Sequence, residues 1–113
     1  MLLRLDVEPG DDHAVIIATG EIDVATADEV MAVITKALDE GQRQVLLDFA
    51  GVAFIDSTGL GMLIKAHRRA RSTAATFAVV HPTAQTRKLI AVLGLDRLLS
   101  VYDTREQALS ERR

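Results

Sequence analysis

The sequence predicts an α/β fold, because short runs of β-branched and apolar residues alternate with longer segments of helical period. The chain has 113 residues, a common size for a single domain, so one domain is expected over 1–113. Hydrophobic residues make up 49% of the chain and charged residues 26%, which is typical of a folded globular protein. Disordered and fibrous classes are therefore excluded.

The N-terminal third is predicted to form a β-hairpin followed by a helix. Strands are expected at 2–7 and 14–19, because the turn-forming segment Glu8-Pro9-Gly10-Asp11-Asp12 lies between them. A first helix is indicated by apolar residues at helical spacing, and Gly41 provides its stop. Those apolar residues are Ala27, Val30, Met31, Ile34 and Leu38.

The middle of the chain continues this alternation. A strand at 45–49 leads through 50–53 to a second apolar step, Phe54-Ile55, after which a second helix begins. The inner face of this helix is predicted to carry Leu60, Leu63, Ile64 and His67. Basic residues fill its exposed side and last turns, where positive charge suits the helix dipole: Lys65, Arg68, Arg69 and Arg71.

The C-terminal third adds two strands and two helices. A strand at 77–80 precedes a third helix, which is predicted to begin at Pro82 and to end at Gly94. A last strand is expected at 98–101. The spacing of Asp103 and Glu106 predicts a capping box that opens a terminal helix.

Charge and residue usage exclude several functions. The 16 acidic and 13 basic residues give a formal net charge of -3, which argues against a binder of the nucleic-acid backbone. The chain contains no cysteine, so disulfides, thiolate zinc sites and thiol nucleophiles are excluded. No apolar run approaches the about 18 residues of a membrane span, and the start lacks the pattern of a signal peptide.

The most informative stretch is Phe54-Ile55-Asp56-Ser57-Thr58-Gly59-Leu60-Gly61, at the predicted start of the second helix. Asp56 or Ser57 can cap this helix by accepting hydrogen bonds from its free backbone N–H groups. Gly59 and Gly61 each cost about 0.5–1 kcal/mol inside a helix, which indicates that they leave room for another backbone to approach. Simple capping and a docking or phosphate site both fit these residues.

Known nucleotide and nucleophile motifs do not match this stretch. A P-loop needs lysine and a hydroxyl residue after its second glycine, and a dinucleotide fingerprint needs a third glycine where Ile64 stands. A hydrolase elbow needs glycine two residues before Ser57. The three histidines lack metal-ligand spacing and provide Ser57 with no evident base: His13, His67 and His81.

A second polar segment, Gly20-Glu21-Ile22-Asp23, ends the second strand just before the first helix. Asp23 is predicted to cap that helix, and Thr26 is the alternative cap. The basic cluster between Lys65 and Arg71 fits a solvated helix C-terminus better than a partner-binding patch.

These two segments, together with Gly94-Leu95, resemble the motifs of the anti-sigma factor antagonists, whose fold is the STAS domain. The resemblance covers nearly the whole chain. It implies a small mixed sheet with an N-terminal hairpin, and it implies that the four predicted helices pack largely on one face. It makes Ser57 the phosphoacceptor. It places the following residues in a partner-binding surface: Asp23, Thr26, Asp56, Ser57, Thr58, Gly59 and Gly61.

The same resemblance implies a partner switch. The unphosphorylated protein is expected to bind an anti-sigma factor that is also an ATP-dependent serine kinase, so that a sigma factor is released. Phosphorylation of Ser57 reverses this, and a phosphoserine phosphatase resets the switch. The chain is then a cytoplasmic kinase substrate and binding module, not an enzyme. It needs no cofactor or metal of its own and contacts neither nucleic acid nor membrane directly.

Two positions depart from the family pattern, and other functions compete. His81 precedes Pro82 where a small polar cap is common, and the turn at 72–75 lacks glycine. The alternatives are a STAS subunit of a lipid- or anion-transport complex, a scaffold of a stress-signalling assembly, and an enzyme that uses Ser57 as nucleophile. Gene neighbours would separate the first from a free regulator, and a size measurement would expose the second.

Overall fold

A computed structural model describes residues 3–111, which form one five-stranded sheet with four α-helices. The strands are β1 (Arg4–Pro9), β2 (His13–Ile22), β3 (Gln44–Ile55), β4 (Thr76–Val80) and β5 (Ser100–Tyr102). The helices are α1 (Ala27–Asp39), α2 (Ser57–Ser72), α3 (Ala84–Val92) and α4 (Arg105–Ser110), with a short 3-10 helix at Leu95–Arg97. The predicted α/β class and element order are confirmed. Residue 2 of the predicted first strand lies outside the described residues.

The order of the strands in the sheet is the same as their order in the chain. β1 pairs with β2 in the antiparallel direction, as the predicted hairpin requires, and all other neighbours are parallel. Parallel neighbours need crossover connections, and right-handed crossovers that advance in one direction place their helices on the same face of the sheet. The connecting helices α1, α2 and α3 therefore share one face, which leaves the other face to α4.

The core follows the alternation of side chains along the strands. On β3, Val45 and Leu47 pack towards the connecting helices, whereas Leu46 packs towards α4. The larger cluster lies under α1, α2 and α3 and includes Ile34 and Leu63, which are fully buried. The sheet is thus buried on both faces near its centre, where Asp48 of β3 is a buried charged side chain.

Helix α4 is held on the second face by a long-range ion pair network. The side chain of Asp48 on β3 is only 7% exposed, and its Oδ2 accepts a hydrogen bond from Nη2 of Arg105 at 3.1 Å. Nη1 of the same arginine donates to Oε1 of Glu8 on β1 at 2.8 Å. Gln44 adds a buried hydrogen bond from its Nε2 to the backbone oxygen of Ala108, at 2.9 Å. These contacts fix α4 to two strands of the sheet.

Strand β3 is longer than predicted, because it continues through 50–53 instead of ending at residue 49. The pairing with β2 shifts register between Ile17 and Thr19 and again after Gly20, so the strand keeps its partner through two irregularities. Gly51 lies at the first shift, where an added Cβ would stand 3.0 Å from Oγ1 of Thr19. Gly51 therefore allows the close approach of β2 and β3 at this point.

The predicted starts of α3 and α4 were wrong by one or two residues. Pro82 precedes the cap of α3 and is not its first helical residue; the cap is Thr83, whose Oγ1 accepts from the backbone N–H of Thr86 at 3.1 Å. Thr104, not Asp103, caps α4 by accepting from the N–H of Gln107 at 3.1 Å. In both cases a threonine hydroxyl at the right spacing from a free N–H determines the start.

Helix α2 ends in a strained turn that α1 avoids. Both helices close with the same pair of hydrogen bonds, and the residue that follows the C-cap is left-handed in each: Gly41 at φ 90° and Ala74 at φ 60°. Alanine in this conformation costs about 1–2 kcal/mol, whereas glycine adopts it without steric cost. The missing glycine of the 72–75 turn is therefore a local weakness.

We expect Ala74→Gly to raise the free energy of unfolding by about 1 kcal/mol, because it removes the left-handed strain of Ala74. Gly41→Ala is the reverse experiment and should lower the free energy of unfolding by a similar amount, because alanine would be strained at φ 90°. No steric clash adds to this cost, since no atom lies within 4 Å of an added Cβ there. Urea unfolding of both variants measures the two changes. Equal stability of all three proteins would contradict the argument.

Candidate functional site

The start of α2 presents an exposed serine beside a capped helix end. Asp56 is the N-cap residue, and its Oδ1 accepts a hydrogen bond from the backbone N–H of Gly59 at 3.0 Å. Ser57 is the first residue of the helix and is exposed. No hydrogen bond from the described residues engages its hydroxyl. Of the two candidate caps, Asp56 takes the role, so the Ser57 hydroxyl is left available at the positive end of a sixteen-residue helix.

The two glycines of the motif have different physical reasons. Gly59 is buried, and an added Cβ would lie 2.6 Å from Cγ1 of Ile55 and 2.9 Å from the backbone oxygen of Ile22. This glycine allows the first turn of α2 to rest on the ends of β2 and β3. Gly61 is half-buried and has no atom within 4 Å of an added Cβ. Internal packing is therefore sufficient to explain Gly59, whereas no contact with the described residues requires a glycine at position 61.

The Asp23 segment forms a turn before α1 and does not cap the helix. Oδ1 of Asp23 accepts from the N–H of Ala25 at 2.9 Å. The Thr26 hydroxyl accepts from the N–H of Asp23 at 2.9 Å and donates to the backbone oxygen of Glu21 at 2.8 Å. Thr26 occupies the N-cap position of α1, but its side chain makes no capping bond, so both predicted capping roles were wrong. Its buried hydroxyl instead holds the turn in place.

Parallel pairing brings the two segments together at the carboxyl end of the sheet. Ile22 and Ile55, the last residues of β2 and β3, are partners in register. The backbone N–H of Asp56 donates to the oxygen of Ile22 at 3.2 Å. The Asp23 turn and the Ser57 helix start therefore form one continuous surface, called here the Asp23–Ser57 surface.

Sequence reasoning missed two exposed apolar side chains on this surface. Val24 is 77% exposed in the turn after β2, and Phe54 is 42% exposed near the end of β3. Phe54 stands opposite Glu21 in the sheet. Phenylalanine is enriched in protein interfaces, whereas valine is under-represented among the residues that dominate binding. The signal in the sequence was weak, because an apolar residue at a strand end also fits a core position.

His67 lies on the face of α2, as predicted, and makes no contribution to the Asp23–Ser57 surface. Its Nδ1 is buried without a hydrogen-bond partner among residues 3–111. Burial lowers the pKa of His67, and the nearby charges of Arg71 and Arg68 lower it further. A neutral imidazole ten positions along the helix from Ser57 lies about 15 Å away and cannot act as its base.

Neither a metal centre nor a membrane segment emerges from the described part of the chain. Within residues 3–111, no three side chains of the metal-binding kinds come together. None of the helices there combines the length and the apolar character needed to cross a bilayer.

The fold and the site define a small α/β domain that presents an exposed serine at a helix start. The family model named STAS domain matches residues 4–108, so this chain belongs to the STAS domain family. A Thermotoga neapolitana protein named as an anti-sigma factor antagonist homologue is 32% identical over 74 residues, which are 66% of each chain.

Solved structures extend the match to the whole domain. An anti-sigma factor antagonist from Mycobacterium paratuberculosis has a TM-score of 0.87 at 28% identity, with 99% of this chain and 95% of that chain covered. The Bacillus protein SpoIIAA in its phosphorylated form has a TM-score of 0.72 at 24% identity, with 96% and 98% covered. The latter likeness concerns the fold alone.

Proposed function

We propose that this protein is an anti-sigma factor antagonist that works as a partner switch. In its unphosphorylated form it binds an anti-sigma factor that is also a serine kinase, and a sigma factor is released. Phosphorylation of Ser57 ends that interaction, and a phosphoserine phosphatase restores it. Both partners of such a switch would meet the protein in the cytoplasm.

The observation that carries this proposal is that Asp56, and not Ser57, caps the helix. Asp56 satisfies the helix cap, so the hydroxyl of Ser57 stays exposed and free of hydrogen bonds within residues 3–111. A kinase substrate needs such a hydroxyl, and a helix N-terminus accommodates the phosphate that results. The names of the relatives support the same role.

The chemistry requires no catalytic group from this chain. Oγ of Ser57 attacks the γ-phosphorus of ATP held by the kinase, the bond from that phosphorus to the oxygen bridging to the β-phosphate breaks, and ADP leaves. The hydroxyl proton passes to a base of the kinase. The role proposed for this chain is that of substrate and binding module, since the ATP and the base both belong to the kinase.

Incubation with ATP and the anti-sigma factor kinase encoded in the same genome should place phosphate on Ser57 and not on Thr58. Mass spectrometry of the digested protein locates the modification. Ser57→Ala should abolish it, whereas Thr58→Ala should retain it as the matched control. Phosphate that persists in Ser57→Ala would overturn the assignment of the acceptor.

Asp23→Ala is expected to weaken kinase binding about tenfold while leaving the far-UV circular dichroism unchanged, because a hydrogen bond to a charged group contributes about 1.5–3 kcal/mol. Isothermal titration calorimetry measures the affinity. Asp23→Asn keeps the acceptor for the N–H of Ala25 and removes only the charge. Unaltered affinity of the alanine variant would remove Asp23 from the interface.

A further inference from the structure

A cleft runs between α1 and α2 and begins beside the proposed phosphoacceptor. It measures about 270 Å³ near Thr58 and Gly61, and a shallower depression continues it along α1 towards Asp39. An ion pair between Nη2 of Arg69 and Oδ1 of Asp39, at 3.2 Å, joins the two helices at the far end. The cleft is therefore an extension of the Asp23–Ser57 surface, since Thr58 belongs to both.

The floor of the cleft is apolar and adaptable. Met31 and Met62 line it; Met31 is half-buried and packs against the main core, to which Met62, only 4% exposed, belongs. Methionine side chains adjust to irregular partners, which is why they are common on surfaces that bind helices. Gly61 lets a partner approach the backbone of α2, because open space surrounds the position of its missing Cβ.

The two walls carry opposite charges. Asp28 lines the α1 side and Lys65 lines the α2 side. Neither takes part in an ion pair with another residue of the described chain. A partner that fits between them must therefore present a cationic group towards α1 and an anionic group towards α2.

We infer that this cleft receives an amphipathic helix of the anti-sigma factor kinase, an inference that rests on the proposed function. The helix lays its apolar residues on Met31 and over Gly61, with a basic residue facing Asp28 and an acidic residue facing Lys65. A helix fits better than an extended strand, because the backbone groups of α1 and α2 are already paired within each helix and cannot extend a sheet.

Charge reversal on each wall tests the inference. Lys65→Glu and Asp28→Lys should each weaken the affinity for the kinase about tenfold, because each places like charges together in the contact. Glu29→Lys makes the same charge change in the same turn of α1 outside the cleft, and Lys88→Glu does so on α3. These two controls should bind like the unmodified protein. Thermal melting confirms that all four variants are folded.

The outcomes separate this inference from the proposed function. If the kinase fails to bind the unmodified protein, the proposed function is wrong. If the kinase binds the unmodified protein and both cleft variants equally well, the proposed function stands, and the inference that a kinase helix binds in the cleft is wrong. The other possible occupant is a second copy of this chain, and sedimentation of the free protein tests it. A dimer that dissociates in Lys65→Glu and Asp28→Lys would assign the cleft to that second copy and overturn the inference.

Discussion

Phosphorylation of Ser57 is expected to lower the affinity for the kinase by about a hundredfold or more, with little change in the melting temperature. The small thermal effect follows from the position of the serine. A phosphoserine carries about -1.5 to -2 charge at pH 7. The first turn of α2 contains no acidic residue after the N-cap Asp56, so the positive end of the helix still offsets part of this charge, by about 0.3–1 kcal/mol.

The large effect on binding follows from the neighbouring charge. Asp56 lies directly beside Ser57 and already contributes a carboxylate to the surface. A phosphate there adds a second anion to the contact with the kinase, and burying a charge that has no partner costs several kcal/mol. The interface therefore loses far more free energy than the fold.

Calorimetric titration of the phosphorylated and unmodified proteins, with differential scanning calorimetry of both, measures the two quantities. Ser57→Asp should show the same trend more weakly, because it adds one charge in place of nearly two. Ser72→Asp, at the other end of α2, is the matched control and should bind normally. A phosphorylated form that melts far lower would show that the switch acts through the conformation of the domain.

Gly59→Ala is expected to lower the free energy of unfolding by about 1–2 kcal/mol, although alanine is the better helix former. The added methyl group would meet Cγ1 of Ile55 at 2.6 Å and a backbone oxygen at 2.9 Å, and the backbone cannot move aside cheaply. The overpacking cost of about 1–3 kcal/mol exceeds the helix gain of about 0.5–1 kcal/mol.

Gly61→Ala provides the matched comparison, since it makes the same change two positions along the same helix. It should raise the free energy of unfolding by about 0.5–1 kcal/mol, because nothing lies near the added methyl group. Gly61→Ala, although it stabilises the fold, should weaken the affinity for the kinase, because its methyl group occupies the space through which a partner approaches the backbone of α2. Two variants that are equally stable in urea would contradict both explanations.

Sequence periodicity was sufficient to predict the order and type of the main elements, because strands and helices differ in the spacing of their apolar residues. It failed where contacts between distant segments decide. The length of β3 depends on how Gly51 approaches Thr19 on the neighbouring strand, and no pattern within β3 contains that information. The start of α3 depends on a hydrogen bond from the backbone N–H of Thr86 to the hydroxyl of Thr83. The sequence favoured Pro82 instead, because proline is common at the first position of a helix.

In the candidate site, too, some features could be predicted from the sequence and others required the structure. Its two segments were predicted from their residues, and parallel pairing of β2 with β3 brings them together. The choice between Asp56 and Ser57 as cap could not be made from composition, because both side chains can accept the same hydrogen bond. The exposed positions of Val24 and Phe54 also required the structure, since an apolar residue at a strand end can face either the core or solvent.

The contact between Arg105 and Asp48 affects how the chain folds during its synthesis. The two residues are 57 positions apart, so translation finishes β3 long before it supplies the cation for its buried carboxylate. An unpaired buried charge is costly. A nascent chain that ends before Arg105 can assemble the hairpin and the first crossovers, yet it lacks the group that closes the second face. Full stability is reached only after Arg105 has been synthesised.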